Sequence, residues 1–179
     1  MSGKLTLISS VTASSSSSVE FTSGIDSTYD EYVFYFVDIH PATDASMFSF
    51  QVNASGGSGY NETITSTIFG GNHKEDDSAA YLGYWTDQDQ AQGTNYQVIA
   101  SNQSNASDSS AAGVLHLFSP SSTSKVKHFY SRINDMNSNG YQSDEFAAGY
   151  INTTSAITEI SFKFTSGNFD ANIYFFGVS

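Results

Sequence analysis

The sequence predicts an all-β domain of antiparallel strands, a sandwich or a barrel, and three observations carry that reading. Helical periodicity is almost missing from the 179 residues, whereas short runs of period two recur throughout, each bounded by Gly, Asn, Ser or Asp. The segment Ile25 to Asp44 is the plainest case: a polar turn leads into Glu31 to Ile39, a run of aromatic and β-branched residues that Pro41 brings to a stop. In an extended chain Tyr32, Phe34 and Phe36 point one way and Val33, Tyr35, Val37 and Ile39 the other, so this strand is apolar on both faces.

The expected strands, in order, are Leu5 to Thr12, Ser18 to Thr22, Glu31 to Ile39, Met47 to Asn53, Ile64 to Phe69, Ala80 to Trp85, Gly113 to Ser119, Lys125 to Arg132, Ala147 to Asn152, Glu159 to Thr165 and Asn172 to Val178. The serine run Ser14 to Ser18 reads as an extended link or a small-residue edge strand, because Val11 precedes it and Val19 and Phe21 follow. Met47 to Asn53 and Glu159 to Thr165 alternate cleanly. Phe48, Phe50 and Val52 oppose Ser49, Gln51 and Asn53, while Ile160, Phe162 and Phe164 oppose Ser161, Lys163 and Thr165, which predicts one wet face on each strand. Asn172 to Val178, like Glu31 to Ile39, is apolar on both sides. Its second face calls for a covering sheet, loop or neighbouring subunit, or else for half-exposed tyrosines with their hydroxyls in water. Gly56 to Gly59 is a flexible turn, Ser101 to Ala112 a polar loop, and the one helical turn expected lies near Thr154 to Ile157.

Length and composition suit a single domain. A chain of 179 residues buries roughly 70% of its extended surface, and 14 Phe with 11 Tyr supply a core that needs neither disulfide nor metal. Residues 1–24, the N-terminal strand and serine-rich segment, belong to the same domain as the sandwich core of residues 25–179. A net charge of −12 repels phosphate backbones and anionic membranes, so neither nucleic acid nor membrane is an expected partner. No run of about 18 apolar residues is present to span a bilayer as a helix. The opening Met1 to Ser10 does not read as a secretory signal, and the lack of cysteine fits assembly in a reducing cytoplasm.

Three constellations bear on chemistry. Asp135-Met136-Asn137-Ser138-Asn139-Gly140 matches the start of a calcium loop, with Asp135, Asn137 and Asn139 as oxygen ligands. Its closing glutamate is displaced, since the motif wants Glu where Phe146 stands and Glu145 comes one residue early; a plain Asn/Gly turn is the competing reading. Tyr81, Tyr84 and Trp85 with Asp87 and Asp89 could stack against and hydrogen-bond a saccharide. Glu75, Asp76 and Asp77 beside them raise a depolymerase, for which nothing fixes a carboxylate pair. The four histidines, His40, His73, His116 and His128, lack zinc-site spacing, although His116 and His128 fall on adjacent expected strands. No catalytic residue and no cofactor are expected, calcium apart.

Several stretches beyond Ile25 to Asp44 carry a likeness: Ala54 to Asn61, Leu117 to Ser122, Val126 to Phe129, Gly149 to Ile157, Phe162 to Phe164 and Ser166 to Asp170. In this order and spacing the chain resembles a family of virion structural proteins of marine cyanophages, which are tailed phages, over most of its length. The resemblance implies a single-domain, jelly-roll-like antiparallel β-sandwich without chemistry of its own, located in the virion and assembled in the host cytoplasm. It leads to the expectation of a capsid decoration or head-fibre protein, a homotrimer that contacts other virion proteins such as the major capsid protein. The alternative expectation is a tail-fibre or receptor-binding tip that holds host-surface polysaccharide.

Overall fold

The computed structural model describes residues 3–179; the first two positions of the segment 1–24 lie outside the described residues. Thirteen strands form, and there is no helix among the described residues. They are β1 (Leu5–Ser16), β2 (Val19–Phe21), β3 (Glu31–Pro41), β4 (Ser46–Ala54), β5 (Ile64–Lys74), β6 (Ala80–Tyr84), β7 (Ala91–Gly93), β8 (Gln97–Gln103), β9 (Ala111–Phe118), β10 (Lys127–Met136), β11 (Tyr141–Ile151), β12 (Ile157–Phe164) and β13 (Phe169–Val178). All pairings are antiparallel. The large sheet runs β1-β13-β3-β9-β10-β11-β5-β6 with β7 also against β5, and the small sheet runs β2-β12-β4-β8.

This order is a jelly roll with insertions. When β5–β7 and β10–β11 are set aside and the other eight strands numbered along the chain, the sheets read 1-8-3-6 and 2-7-4-5, the wrapped double Greek key of that fold. The insertions all add to one edge of the large sheet, beyond β9. As a result the large sheet extends past the small one.

Inward side chains from both sheets meet in a phenylalanine core. Phe34 stacks on Phe175 with centroids 4.7 Å apart, and Phe162 on the small sheet lies 5.3 Å from Phe34 and 5.2 Å from Phe36. Rings at these separations gain edge and stacking contacts beyond the burial of their area. Val52, Ile64, Ile68, Leu115, Ile160 and Ile173 complete the packing.

Several expectations need correction. Ile39 joins the core instead of following Val37, because Asp38 takes a left-handed φ of 53° and the ladder shifts register between Phe36 and Ile39. The serine run is divided as its two readings allow, Ser14 to Ser16 ending edge strand β1 and Ser17 and Ser18 linking it to β2. No helical turn forms at Thr154 to Ile157: Ser155 N–H donates to Thr153 Oγ1 in a bend, and strand resumes at Ile157. Ser101 to Ala112 is not all loop, since β8 runs to Gln103 and β9 starts at Ala111; β7 and β8 lack the apolar alternation that marks a strand in sequence.

The expected wet face of the small sheet is dry at its centre, whereas Asn53 and Lys163 are half-buried and Thr165 is exposed. Ser49, Gln51 and Ser161 are buried beneath loop residues. Gln51 Nε2 donates to the carbonyls of Glu62 (3.0 Å), Thr94 (3.2 Å) and Asn95 (3.0 Å), and Tyr96 donates its hydroxyl proton to Ser161 Oγ at 3.1 Å. Polar strand positions thus serve as anchors for polar loops, which satisfies buried groups on both sides.

Candidate functional site

The outer face of the large sheet is the most distinctive surface of the protein. Cross-strand register fixes which residues share it. One row reads Leu7, Phe176, Val33, His116, Tyr130 and Ala148; the next reads Tyr174, Tyr35, Val114, Arg132, Phe146, Phe69 and Tyr84. Ten large apolar side chains are notably exposed among the described residues, and nine of them (Leu5, Leu7, Tyr35, Val37, Phe69, Leu82, Tyr84, Tyr130 and Tyr174) stand on this face. Tyr81 is the tenth. The expectation that the second faces of β3 and β13 are apolar is met here, with Tyr35 and Tyr174 each 37% exposed and Val33 buried by its neighbours.

Within the face the rings are ordered. Phe69 stacks on Phe146 at 5.4 Å, the Arg132 guanidinium lies 5.0 Å over the Phe146 ring, and His116 stacks on Tyr130 at 4.4 Å. The acidic groups set among them have side-chain partners. Arg132 donates through Nε and Nη2 to the two Asp144 oxygens at 3.0 and 2.7 Å, and His116 Nδ1 lies 2.5 Å from Glu31 Oε1. A shallow depression of about 560 Å³ opens between Tyr35, Ala112, Val114, Arg132 and Asp144, where the small side chain of Ala112 leaves room. On a chain of net charge −12 this strip is therefore largely apolar, with Asp144 neutralised by Arg132.

The sequence-based saccharide residues do not converge. Tyr84 is on the outer face and donates to Asp89 Oδ2 at 2.6 Å, a bond that holds the phenol above its ordinary pKa. Trp85 turns to the opposite face and packs against the core over Gly70, where an added Cβ would sit 2.8 Å from the indole. Tyr81 also points to that side and meets Tyr141 edge-on at 5.8 Å, while Asp87 is exposed in the turn after β6. The acidic cluster separates likewise. Asp76 accepts from the Ser78 N–H and hydroxyl in the β5–β6 turn, which lowers its pKa, and β6 separates it from Asp87 and Asp89 by about 15 Å of extended chain. Asp77 bonds His73 in the same turn.

The calcium-loop residues are divided too. Asn137 Oδ1 accepts the backbone N–H groups of Asn139 (2.9 Å) and Tyr141 (3.1 Å), as a turn asparagine does, and Asn139 itself is exposed. Asp135 instead ends β10 with its carboxylate on the inner face. There the hairpin brings Glu145, offset by one in the linear motif, back beside it on β11. Burial raises the pKa of both acids, Asp135 to about 8 with the Glu145 charge adding to it, and Glu145 to about 7 against the lowering bonds from Ser101. This pair was not legible as such in the sequence, because only strand register makes neighbours of residues ten apart. Of the histidines, His40 bonds the Ser109 carbonyl at 2.9 Å, and His116 and His128 share the outer face, where His116 is taken up by Glu31. Among the described residues no three His, Cys, Asp or Glu side chains gather as a metal-binding group. Comparison with known protein families and with curated proteins finds no match to this chain.

Proposed function

We propose that the protein is a non-enzymatic structural component of a tailed-phage virion, a capsid decoration or head-fibre protein that assembles through the outer face of its large sheet. The occupant of that face is a second copy of the chain, in a homotrimer that also contacts other virion proteins such as the major capsid protein. The observation that carries the reading is the concentration of nine large exposed apolar side chains on one sheet face, more than isolated surface residues require. Charge supports the choice of a like copy. Two chains of −12 repel wherever their acidic surfaces meet, but on the outer strip Asp144 is neutralised by Arg132 and Glu31 is bonded to His116. The resemblance to cyanophage virion proteins supports the location, and jelly rolls are common in viral shells.

Light scattering on the purified protein across concentration and ionic strength tests assembly. A trimer that strengthens with salt, as screening of like charge demands, is expected. A monomer under every condition overturns assembly, and an intact-particle reconstruction without its density overturns the location.

A second reading rests on a separate observation. Phe69, Phe146 and Tyr84 form a flat strip beside the Arg132–Asp144 pair, a surface on which a saccharide ring could stack, as a tail-fibre tip would need. It uses different residues from the Tyr81–Trp85 group except for Tyr84. Binding on a glycan array that is lost in Phe69→Ser supports it, and no retention of any glycan by the assembled protein removes it.

A further inference from the structure

Independently of what covers the outer face, the inserted hairpin β10–β11 and the edge strand β8 bury a polar cluster between them on the inner side. It includes a row of register neighbours, Asp135 on β10, Ser143 on β11 and Asn72 on β5. Asp135 is 3% exposed, and no donor is aligned on either of its carboxylate oxygens; the Ser143 hydroxyl is near enough to lower its pKa somewhat, but burial outweighs it. The Ser143 hydroxyl beside it donates to Asn72 Oδ1 at 2.6 Å. Glu145, two residues along β11, crosses to the small sheet and accepts from the backbone N–H of Ser101 (3.0 Å) and from the Ser101 hydroxyl. On the same strand Gln103 is 2% exposed, bridges by its backbone to Asn137, and leaves both amide atoms unpartnered.

This cluster lacks positive charge. Among the described residues no Lys, Arg or His pairs with Asp135 or Glu145. Unmet buried oxygens are rare in native proteins, and an uncompensated buried carboxylate is costly. A single proton on Asp135 provides one donor and leaves the second acid, Glu145, buried without a counter-charge. A cation meets several oxygens at once and neutralises both acids. The donors available are carboxylate, amide and hydroxyl oxygens, with neither thiol nor imidazole among them, which suits a hard cation of the calcium class rather than zinc.

We propose that the polar cluster between β8, β10 and β11 is a buried divalent-cation site of the calcium class, with Asp135 and Glu145 as its charged ligands and Gln103 Oε1 as a neutral one. The ligand set differs from the linear calcium loop, because Asn137 is committed to its turn and Asn139 faces solvent. The ion joins the inserted extension, which carries half of the outer face, to the edge of the jelly roll.

The test is thermal unfolding at pH 8 and constant ionic strength in a chelator, in calcium and in magnesium, with calorimetry for stoichiometry. At a hundredfold excess over the dissociation constant, calcium raises the melting temperature by roughly 5–10 °C over the chelated protein. Asp135→Asn and Glu145→Gln lose that response, whereas Asp76→Asn, an exposed carboxylate, keeps it. The variants also cross: in chelator Asp135→Asn melts above the unaltered protein, since it removes a buried charge, and in calcium below it. Equal melting of the unaltered protein in chelator and calcium overturns the proposal, as does a calcium response that survives in Asp135→Asn, and either result leaves the pair as a proton-holding one.

Discussion

Leu82 offers the sharpest test of the assembly face, because its role in the protomer and its role in the assembly separate cleanly. At 89% exposed on the outer side of β6, it contributes little to the fold of one chain, so Leu82→Ser leaves protomer stability within about 0.5 kcal/mol. Full burial of a leucine against a partner is worth roughly 1.5–3 kcal/mol. Loss of that burial weakens association by about 10- to 100-fold per contact. Phe69, 49% exposed, has about half of its ring still to bury, and Phe69→Ser adds about another tenfold loss. It also removes the stack on Phe146 and so costs the protomer about 1 kcal/mol. Sedimentation velocity over a wide range of protein concentration reads the association. Thermal melting of dilute protein reads the protomer. The expected pattern is a shift of Leu82→Ser toward monomer at unchanged melting temperature, with the double variant monomeric throughout. An association constant for the double variant equal to that of the unaltered chain would refute the reasoning.

Three further outcomes follow from the interior. Phe162→Ala removes the ring that touches Phe21, Phe34, Phe36 and Phe48, and urea unfolding should show a loss of about 3–5 kcal/mol; a loss below 1 kcal/mol would contradict the packing. Gln51→Ala leaves the carbonyls of Glu62, Thr94 and Asn95 without their donor, at about 1–3 kcal/mol for each that stays dry. Faster hydrogen exchange and proteolysis in residues 55–63 and 94–96 should accompany it, and unchanged protection there would show that the loops hold without the anchor. The third concerns pH, measured in chelator. Asp135 and Glu145 titrate near 8 and 7 in the fold instead of at their ordinary 3.8 and 4.5, so between these limits the folded chain holds protons that the unfolded chain has released. Stability is then fully present below about pH 4 and lost as pH rises through 7 and 8. Melting temperatures that do not fall from pH 5 to pH 8.5, or that fall equally in the double variant Asp135→Asn/Glu145→Gln, would dispose of this linkage.

The amino-acid sequence alone determined the class of secondary structure and most of the strands. Side chains alternate across an extended backbone whatever the neighbours are, so Phe48-Ser49-Phe50-Gln51-Val52 states its period without reference to the rest of the molecule. The two apolar faces of β3 were legible for the same reason, and they led to the outer surface. The weakest strands were illegible: Gln97 to Gln103 is recruited by β4 and by Glu145 rather than by its own pattern.

What only the tertiary structure decided was which residues become neighbours. The jelly-roll order, the extension of the large sheet beyond the small one, and the dry loops over Gln51 depend on pairings between distant segments. The bulge at Asp38 turned Ile39 inward. The close approach of Trp85 to Gly70 divided an aromatic group that looked continuous along the chain. Asp135 and Glu145 became neighbours because antiparallel register places them diagonally across a hairpin, and the strand that covers them, with Ser101 bonded to Glu145, is β8, contributed by a segment more than thirty residues earlier. Local pattern fixes which way a side chain points relative to its strand; the environment it points into is set by long-range packing.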